Sequence, residues 1–353
     1  MEHITVVHLP ISMSDMDGIQ AMLRAEGPFC TSFPDRDVYS AALYHQESAV
    51  HGSRVRMLVD RNIFGRIVAL ANGTSAKQAH RIPAAIMAFA QCAGIDFEPN
   101  LALYEGLATQ AKNNAVRDLA MFRAADNLHP SEMADIALGR SLKLRSCLSP
   151  TSKTPDLTRL EKPIRQYSVV YPLVLKIGCI ELEGGPMAHR MRRFLDWTFD
   201  NWYFSAPVLV FAAVCFSATP QRAVLKHLRH SDRSLALKGI SNCAWDLTYL
   251  TLWLQLLKRQ DRENLLYLFC SCDRALRCVA QQLLARPDAT EGQIESSLRQ
   301  LLGAVVYEHY VRLNEQKDDP TRLINQVGID IGNHKAQIIT ALEQELRKSS
   351  SLG

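Results

Sequence analysis

None of the nine cysteines forms a Cys-x-x-Cys pair. Nor do they form a regular framework. Cys270 and Cys272 flank a single serine, which is too tight for the usual zinc knuckle. The others sit mostly in apolar segments, as with Cys92, Cys179, Cys215 and Cys278, so buried, reduced thiols in a reducing compartment are expected. Long apolar runs are also lacking. The most apolar stretch, APVLVFAAVCFSA from Ala206 to Ala218, falls short of the roughly 20 residues of a spanning helix. It reads as a buried helix, and no membrane is expected among the partners. The opening MEHITVVHLP has no basic region leading into an apolar core, so a cytoplasmic protein without a secretory signal is expected. Charge of one sign is scarce as well. Lys and Arg number 40 against 36 Asp and Glu, and a formal +4 leaves any polyanionic partner to local basic clusters. No internal repeat is present.

What remains is an ordinary globular composition: 353 residues, 47% hydrophobic and 22% charged, enough for a sizeable core and about two domains. Val55–Val59 (VRMLV) is rich in β-formers and stops at Asp60-Arg61-Asn62, so it predicts a buried strand presenting Asp60 at its C-terminal end. Helical spacing follows over Ile63–Asn72, closed by Asn72-Gly73, and again over Ala76–Ala93, Leu101–Lys112, Asn114–Ala125 and Ser131–Leu142, with Ser131 as a candidate cap. Ser146–Asp156 reads as a loop. Tyr167–Leu182 fits a strand or the start of a helix, and His189–Cys215 one long helix or two. Asp246–Lys258 predicts an apolar helix opened by Asp246. Asn264–Cys270 predicts a second strand, ending at Ser271-Cys272-Asp273, with a helix from Arg274 to Leu284. Thr290–Gln316 and His334–Lys348 complete the helical pattern, and Ser349–Gly353 is expected to fray.

Two acids, Asp60 and Asp273, therefore follow apolar strands and precede helices, where open α/β sheets bind ligands. Asp246 is placed at a helix start and Glu105 within the first turns of another helix. Carboxylates that converge repel one another and resist desolvation, so such a cluster calls for a cation. Oxygen ligands without sulfur or imidazole favour Mg²⁺ or Mn²⁺, which activate water for in-line attack on a phosphodiester.

Four segments, LVDRN (Leu58–Asn62), ALYEGLA (Ala102–Ala108), AWDLTYL (Ala244–Leu250) and CSCDRALR (Cys270–Arg277), resemble the PIN-like nuclease family. The resemblance implies an α/β, helix-rich, three-layer fold around a central, mostly parallel sheet. It also implies metal-holding and catalytic roles for Asp60, Glu105, Asp246 and Asp273, with Asn62 and Ser271 in support. The long interval between Glu105 and Asp246 implies a helical insertion. The organisation expected is a discontinuous core at 1–130 and 231–285, the insertion at 131–230, and C-terminal helices and tail at 286–353. The implied activity is a divalent-metal-dependent nuclease, acting on RNA in preference to DNA. A non-catalytic PIN-like module that binds nucleic acid or protein is the alternative, and a homo-oligomer or a protein inhibitor would be a further partner. A mainly helical interaction protein, in which the four acids never meet, is a second rival.

Each of these residues also has a plainer reading. Asp60, Asp246 and Asp273 suit helix caps, and Glu105 suits a solvated face. Basic residues gather in His189–Arg193 and Arg222–Lys238, so Arg190, Arg192, Arg193, Lys226 and Arg229 form either a phosphate-binding surface or a solvated one. His227 and His230 stand three apart, a metal-ligand spacing opposed by the cations around them. Trp197, Trp202, Tyr203 and Phe204 read as base-stacking residues or as core. Glu181 and Glu183 read as a further metal ligand or a solvated turn.

Overall fold

The two predicted strands pair side by side, with Val59 opposite Cys270, and the rest of the first unit is built around them. The computed structural model describes residues 9–32, 36–150, 164–217, 225–259, 264–284, 291–315 and 331–349. In chain order the elements begin α1 (Met13–Glu26), β1 (Phe29–Cys30), α2 (Ala41–His51), β2 (Arg54–Val59), α3 (Arg61–Ala71), α4 (Gln78–Ala93), β3 (Ile95–Glu98), α5 (Asn100–Thr109), α6 (Lys112–Asp126) and α7 (Pro130–Ala137). They continue with α8 (Arg165–Glu183), α9 (Met187–Asn201), α10 (Ala206–Phe216), α11 (Arg233–Leu257), β4 (Leu265–Cys270), α12 (Arg274–Leu283), α13 (Glu291–Leu302), α14 (Ala304–Glu315) and α15 (Ile331–Lys348). The protein is α/β and rich in helix, with one small mixed sheet. Among the described residues no helix is long and apolar enough to cross a membrane.

Two compact units divide the chain. Unit 1 comprises Met1–Lys162 with Trp253–Arg277, and unit 2 comprises Pro163–Leu252 with Cys278–Gly353. The first crossing thus falls well beyond the expected 130/131 boundary. The reason is packing, since α7 buries Met133, Ala134, Ile136 and Ala137 in the same core as the Ala84–Ala90 stretch of α4.

In unit 1 the strand order is β1-β4-β2-β3, with β2 parallel to β3 and β4, and β1 antiparallel to β4. Alternation along the strands sorts the faces. Val55, Met57 and Val59, with Ile95, Phe97, Leu268 and Cys270, join the core formed with α1 to α7. On the other face Phe269 meets the Trp253 ring at 5.7 Å, and the Trp253 indole N–H donates to the Tyr267 carbonyl. There too Arg56 reaches Glu98 at 3.9 Å. The sequence reading passed over β3, although Ile95 and Phe97 alternate between Gly94 and Pro99. It also passed over α1, β1 and α2. Helix α3 forms as expected: Asp60 caps it, Ile63, Phe64, Ile67, Val68, Leu70 and Ala71 are buried, and the chain leaves through Asn72 and a left-handed Gly73. The expected Ser131 cap is displaced by His129, because Pro130 occupies the first helical turn.

Unit 2 is helical. Tyr167–Leu182 resolves as helix α8, since Val170, Leu173, Val174, Ile177 and Ile180 recur on one face. His189–Cys215 resolves as two helices, interrupted at Trp202–Ser205, with Pro207 in the first turn of α10. Tyr167 stacks on Trp245 at 4.4 Å, tying α8 to α11. Tyr171 donates to Glu343, and His309 meets Asp196 at 2.6 Å. The expected start of a helix at Asp246 is corrected. Asp246 lies well inside α11, because the apolar series Leu235, Ala236, Ile240, Cys243, Ala244 and Leu247 carries the helix past Gly239 and through Asp246.

Candidate functional site

A parallel strand delivers its last side chain to the sheet's C-terminal rim, and two neighbouring strands do so here. β2 ends at Asp60 and β4 at Ser271-Cys272-Asp273. Because β2 has β3 on one side and β4 on the other, the chain's winding reverses between β2 and β4. A crevice outside the strand ends at such a switch point is the usual ligand position in open α/β sheets.

Asp60 is 1% exposed. Its Oδ1 accepts the Ile63 N–H at 2.7 Å and its Oδ2 accepts the Ser271 hydroxyl at 2.5 Å. Every polar group of Ser271 is engaged. Its N–H donates to the Pro28 carbonyl at 3.0 Å and its carbonyl accepts from Arg277 Nη1 at 3.0 Å, while its Oγ accepts the Asp273 N–H at 2.9 Å. Asp273 in turn receives the N–H groups of Ala275 and Leu276 on Oδ1, at 3.0 and 3.2 Å, so it opens α12. The carboxylates are thus joined through one serine, and each sits at the positive end of a helix. Burial above all pushes the Asp60 acid upward in pKa. The Ser271 and Ile63 hydrogen bonds pull it back, and the Asp273 charge adds to the rise.

The surrounding thiols are no competitors for hard cations. Burial, aided by the Asp60 charge, holds Cys272 up at about 12, and Cys270 lies well above the ordinary thiol value for the same first cause. In the absence of a metal ion both favour the protonated thiol, the weaker nucleophile. All nine cysteines are free, most of them buried, and Cys147 is exposed.

The remaining predicted residues are placed as follows. Asn62 is exposed in the first turn of α3. Glu105 is half-buried on α5, and its neighbour Gly106 would set a Cβ 3.3 Å from Arg61 Nη1. Arg61, directly after Asp60, also donates to the Ala102 carbonyl and to Asp118. The face of α5 that carries Ala102 and Gly106 therefore packs beside the start of α3. Asp246 belongs to unit 2. Among the described residues no group of three or more His, Cys, Asp or Glu is placed to hold a metal ion. Asp60 and Asp273 supply oxygen donors of the kind that Mg²⁺ or Mn²⁺ takes. Mg²⁺ takes one or two carboxylates and keeps several waters, and a cation would relieve the repulsion felt by Asp60.

In unit 2 the basic residues separate into different roles. Arg190 is buried, paired with Glu181, bonded to the Phe216 carbonyl at 2.8 Å, and set 5.0 Å over the Phe216 ring. It leaves the expected phosphate surface for the interior, because the helix face that carries Met191 and Phe194 faces inward too. Glu181, read as a ligand or a solvated turn, is 1% exposed and serves as its partner. Arg193 pairs with Glu183 at 2.5 Å. Arg192 and Lys226 are exposed, and Arg229 is half-exposed with Nη2 3.4 Å from Glu181 Oε1. Trp202 is buried, with its indole bonded to the Val169 carbonyl, whereas Trp197, Tyr203 and Phe204 are partly exposed. The sequence reading missed Arg277, a buried guanidinium that ties the Ser271 carbonyl to the Glu26 carbonyl. The only local signal was its place one turn after Asp273.

No family model, curated protein or solved structure matches the chain.

Proposed function

We propose that unit 1 is a divalent-cation-dependent nuclease that hydrolyses phosphodiester bonds, of RNA in preference to DNA. The observation that carries this reading is the Asp60–Ser271–Asp273 constellation at the switch point between β2 and β4. Asp60 and Asp273 are the residues that would hold Mg²⁺ or Mn²⁺, with Glu105 and Asp246 as the further acids implied by the PIN-like resemblance. When bound, the ion supplies charge to the scissile phosphate and lowers the pKa of water. Ser271 fixes the rotamer of Asp60, and Arg277 fixes Ser271 in turn. The helix N-termini at Asp60 and Asp273 stabilise the two carboxylates themselves, whose capping bonds occupy the N–H groups there. Arg192 and Lys226, exposed on unit 2, are candidate nucleic-acid-binding residues of that unit in its own right.

The test is cleavage of labelled RNA and single-stranded DNA by purified protein with Mn²⁺, comparing Asp60→Asn and Asp273→Asn with the parent. Loss of at least a hundredfold in both variants, with thermal unfolding retained, supports the site; cleavage that persists unchanged removes it. The second reading, a non-catalytic PIN-like binding module, is favoured by the hydrogen bonds on both Asp60 oxygens and by the lack, among the described residues, of a third acid grouped with the pair. Under it the parent binds RNA without cutting and gives no heat with Mn²⁺.

A further inference from the structure

Unit 2 contains a cavity of about 310 Å³ lined by Glu181, Leu225, His227, Leu228, Arg229 and His230. That volume lies at the lower end of the range for small-molecule sites. Its wall is a loop held in one shape. Arg233 Nη1 donates to the carbonyls of Leu228 and His230 at 3.1 and 3.3 Å, and the His230 N–H returns to the His227 carbonyl at 2.9 Å. Gly239 of α11 lets this loop lie directly on the helix, since a Cβ there would stand 1.9 Å from the Lys226 carbonyl oxygen. His227 takes a left-handed φ of 61°, a strained position for a non-glycine residue of the kind that clusters at ligand sites.

Among the described residues that line the cavity, the charges do not cancel. Glu181 contributes one negative charge, and buried Arg190 already neutralises it. Arg229 is then a second guanidinium over the same carboxylate, with only Nη2 engaged among the described residues, at 3.4 Å. The buried Nε of Arg190 has no hydrogen-bond partner among the described residues, so the donor side of this network is in excess. His230 adds a directed donor. Its Nδ1 accepts the Asp232 N–H at 3.0 Å, which leaves the proton on Nε2. The His227 ring lies 6.1 Å away, edge to face. Leu225 and Leu228 are the apolar part of the lining, and Leu228 is anchored against α8, near Gly178. The metal reading of the two histidines has no support, for no three-ligand group includes them among the described residues.

We propose that this cavity binds a phosphate monoester carrying an apolar or aromatic body, of mononucleotide size. Arg229 and the two imidazoles take the phosphate, as charge-assisted donors suit it, and Leu225 and Leu228 take the body. Glu181 orients Arg229. The site lies wholly in unit 2, so it does not depend on the carboxylate pair of unit 1, and its test reads binding rather than cleavage. The full chain would be titrated calorimetrically with adenosine 5′-monophosphate, with adenosine, and with inorganic phosphate. Saturable one-to-one binding of the monophosphate is expected, at least tenfold tighter than either fragment. A loss of at least tenfold is expected in Arg229→Gln and in His227→Asn, the latter chosen because asparagine tolerates the left-handed backbone. The imidazole resonances of His227 and His230 in the unmutated protein are expected to shift with the same titration, which gives a reading even if a variant misfolds. Absence of saturable binding into the millimolar range overturns the proposal. So does affinity unchanged in both variants, phosphate binding as tightly as the monophosphate, or imidazole signals that stay still.

Discussion

Replacing Ser271 with alanine tests the physical link on which the candidate site is built. The substitution deletes one oxygen and two hydrogen bonds, leaving the Ser271 backbone contacts to Pro28 and Arg277 in place. The donor lost by Asp60 is a 2.5 Å bond to a carboxylate that is 1% exposed. Hydrogen bonds to charged groups contribute about 1.5–3 kcal/mol, and the Asp273 N–H that loses its acceptor adds about 0.5–1.5 kcal/mol. The expected cost is therefore about 2–4.5 kcal/mol, confined to unit 1. Because the chain has two units, one global unfolding energy would blur the effect. Hydrogen exchange read by mass spectrometry resolves it: peptides from β2 and α3 should exchange about 30-fold to about 2000-fold faster, while α9 is unchanged. Less than threefold acceleration in β2 and α3 would refute the claim that Ser271 holds Asp60 in place.

Two further outcomes follow from buried charge. The folded-state pKa of Asp60 lies above the ordinary 3.8, chiefly through burial, so folded protein keeps this proton when unfolded chain has released it. Its stabilising contribution is full below about 3.8 and is lost as pH rises through the folded-state value. Urea midpoints measured from pH 4 to 8 should fall less steeply in Asp60→Asn, which retains the cap to Ile63; identical slopes would exclude Asp60 as the source. In unit 2, Arg190→Met takes the buried guanidinium from the Glu181 carboxylate, leaving it the longer Arg229 contact at 3.4 Å, and should cost about 3–5 kcal/mol by denaturant titration, whereas Glu181→Leu combined with Arg190→Met recovers most of it. A loss below 1 kcal/mol would show that the pair is not holding α8 and α9 together.

The sequence by itself determined the elements whose pattern is local. VRMLV running into Asp60, and LLYLFC running into Ser271 and Asp273, specify two strands that end in acids, because period, β-propensity and helix-start chemistry all reside within about ten residues. The same locality gave α3, α4, α6 and α12 with small shifts at their ends. Tertiary structure alone decided whether those strands are neighbours, and hence that Ser271 bridges the acids. It also decided that Asp246 rides inside a long helix, since an aspartate on an uninterrupted apolar periodicity looks the same whether it caps or is carried along. Arg190 and Glu181 make the point most clearly. In sequence they are a basic cluster and an acidic turn, and only packing, which takes a charge out of water when a partner stands beside it, turns them into an interior pair.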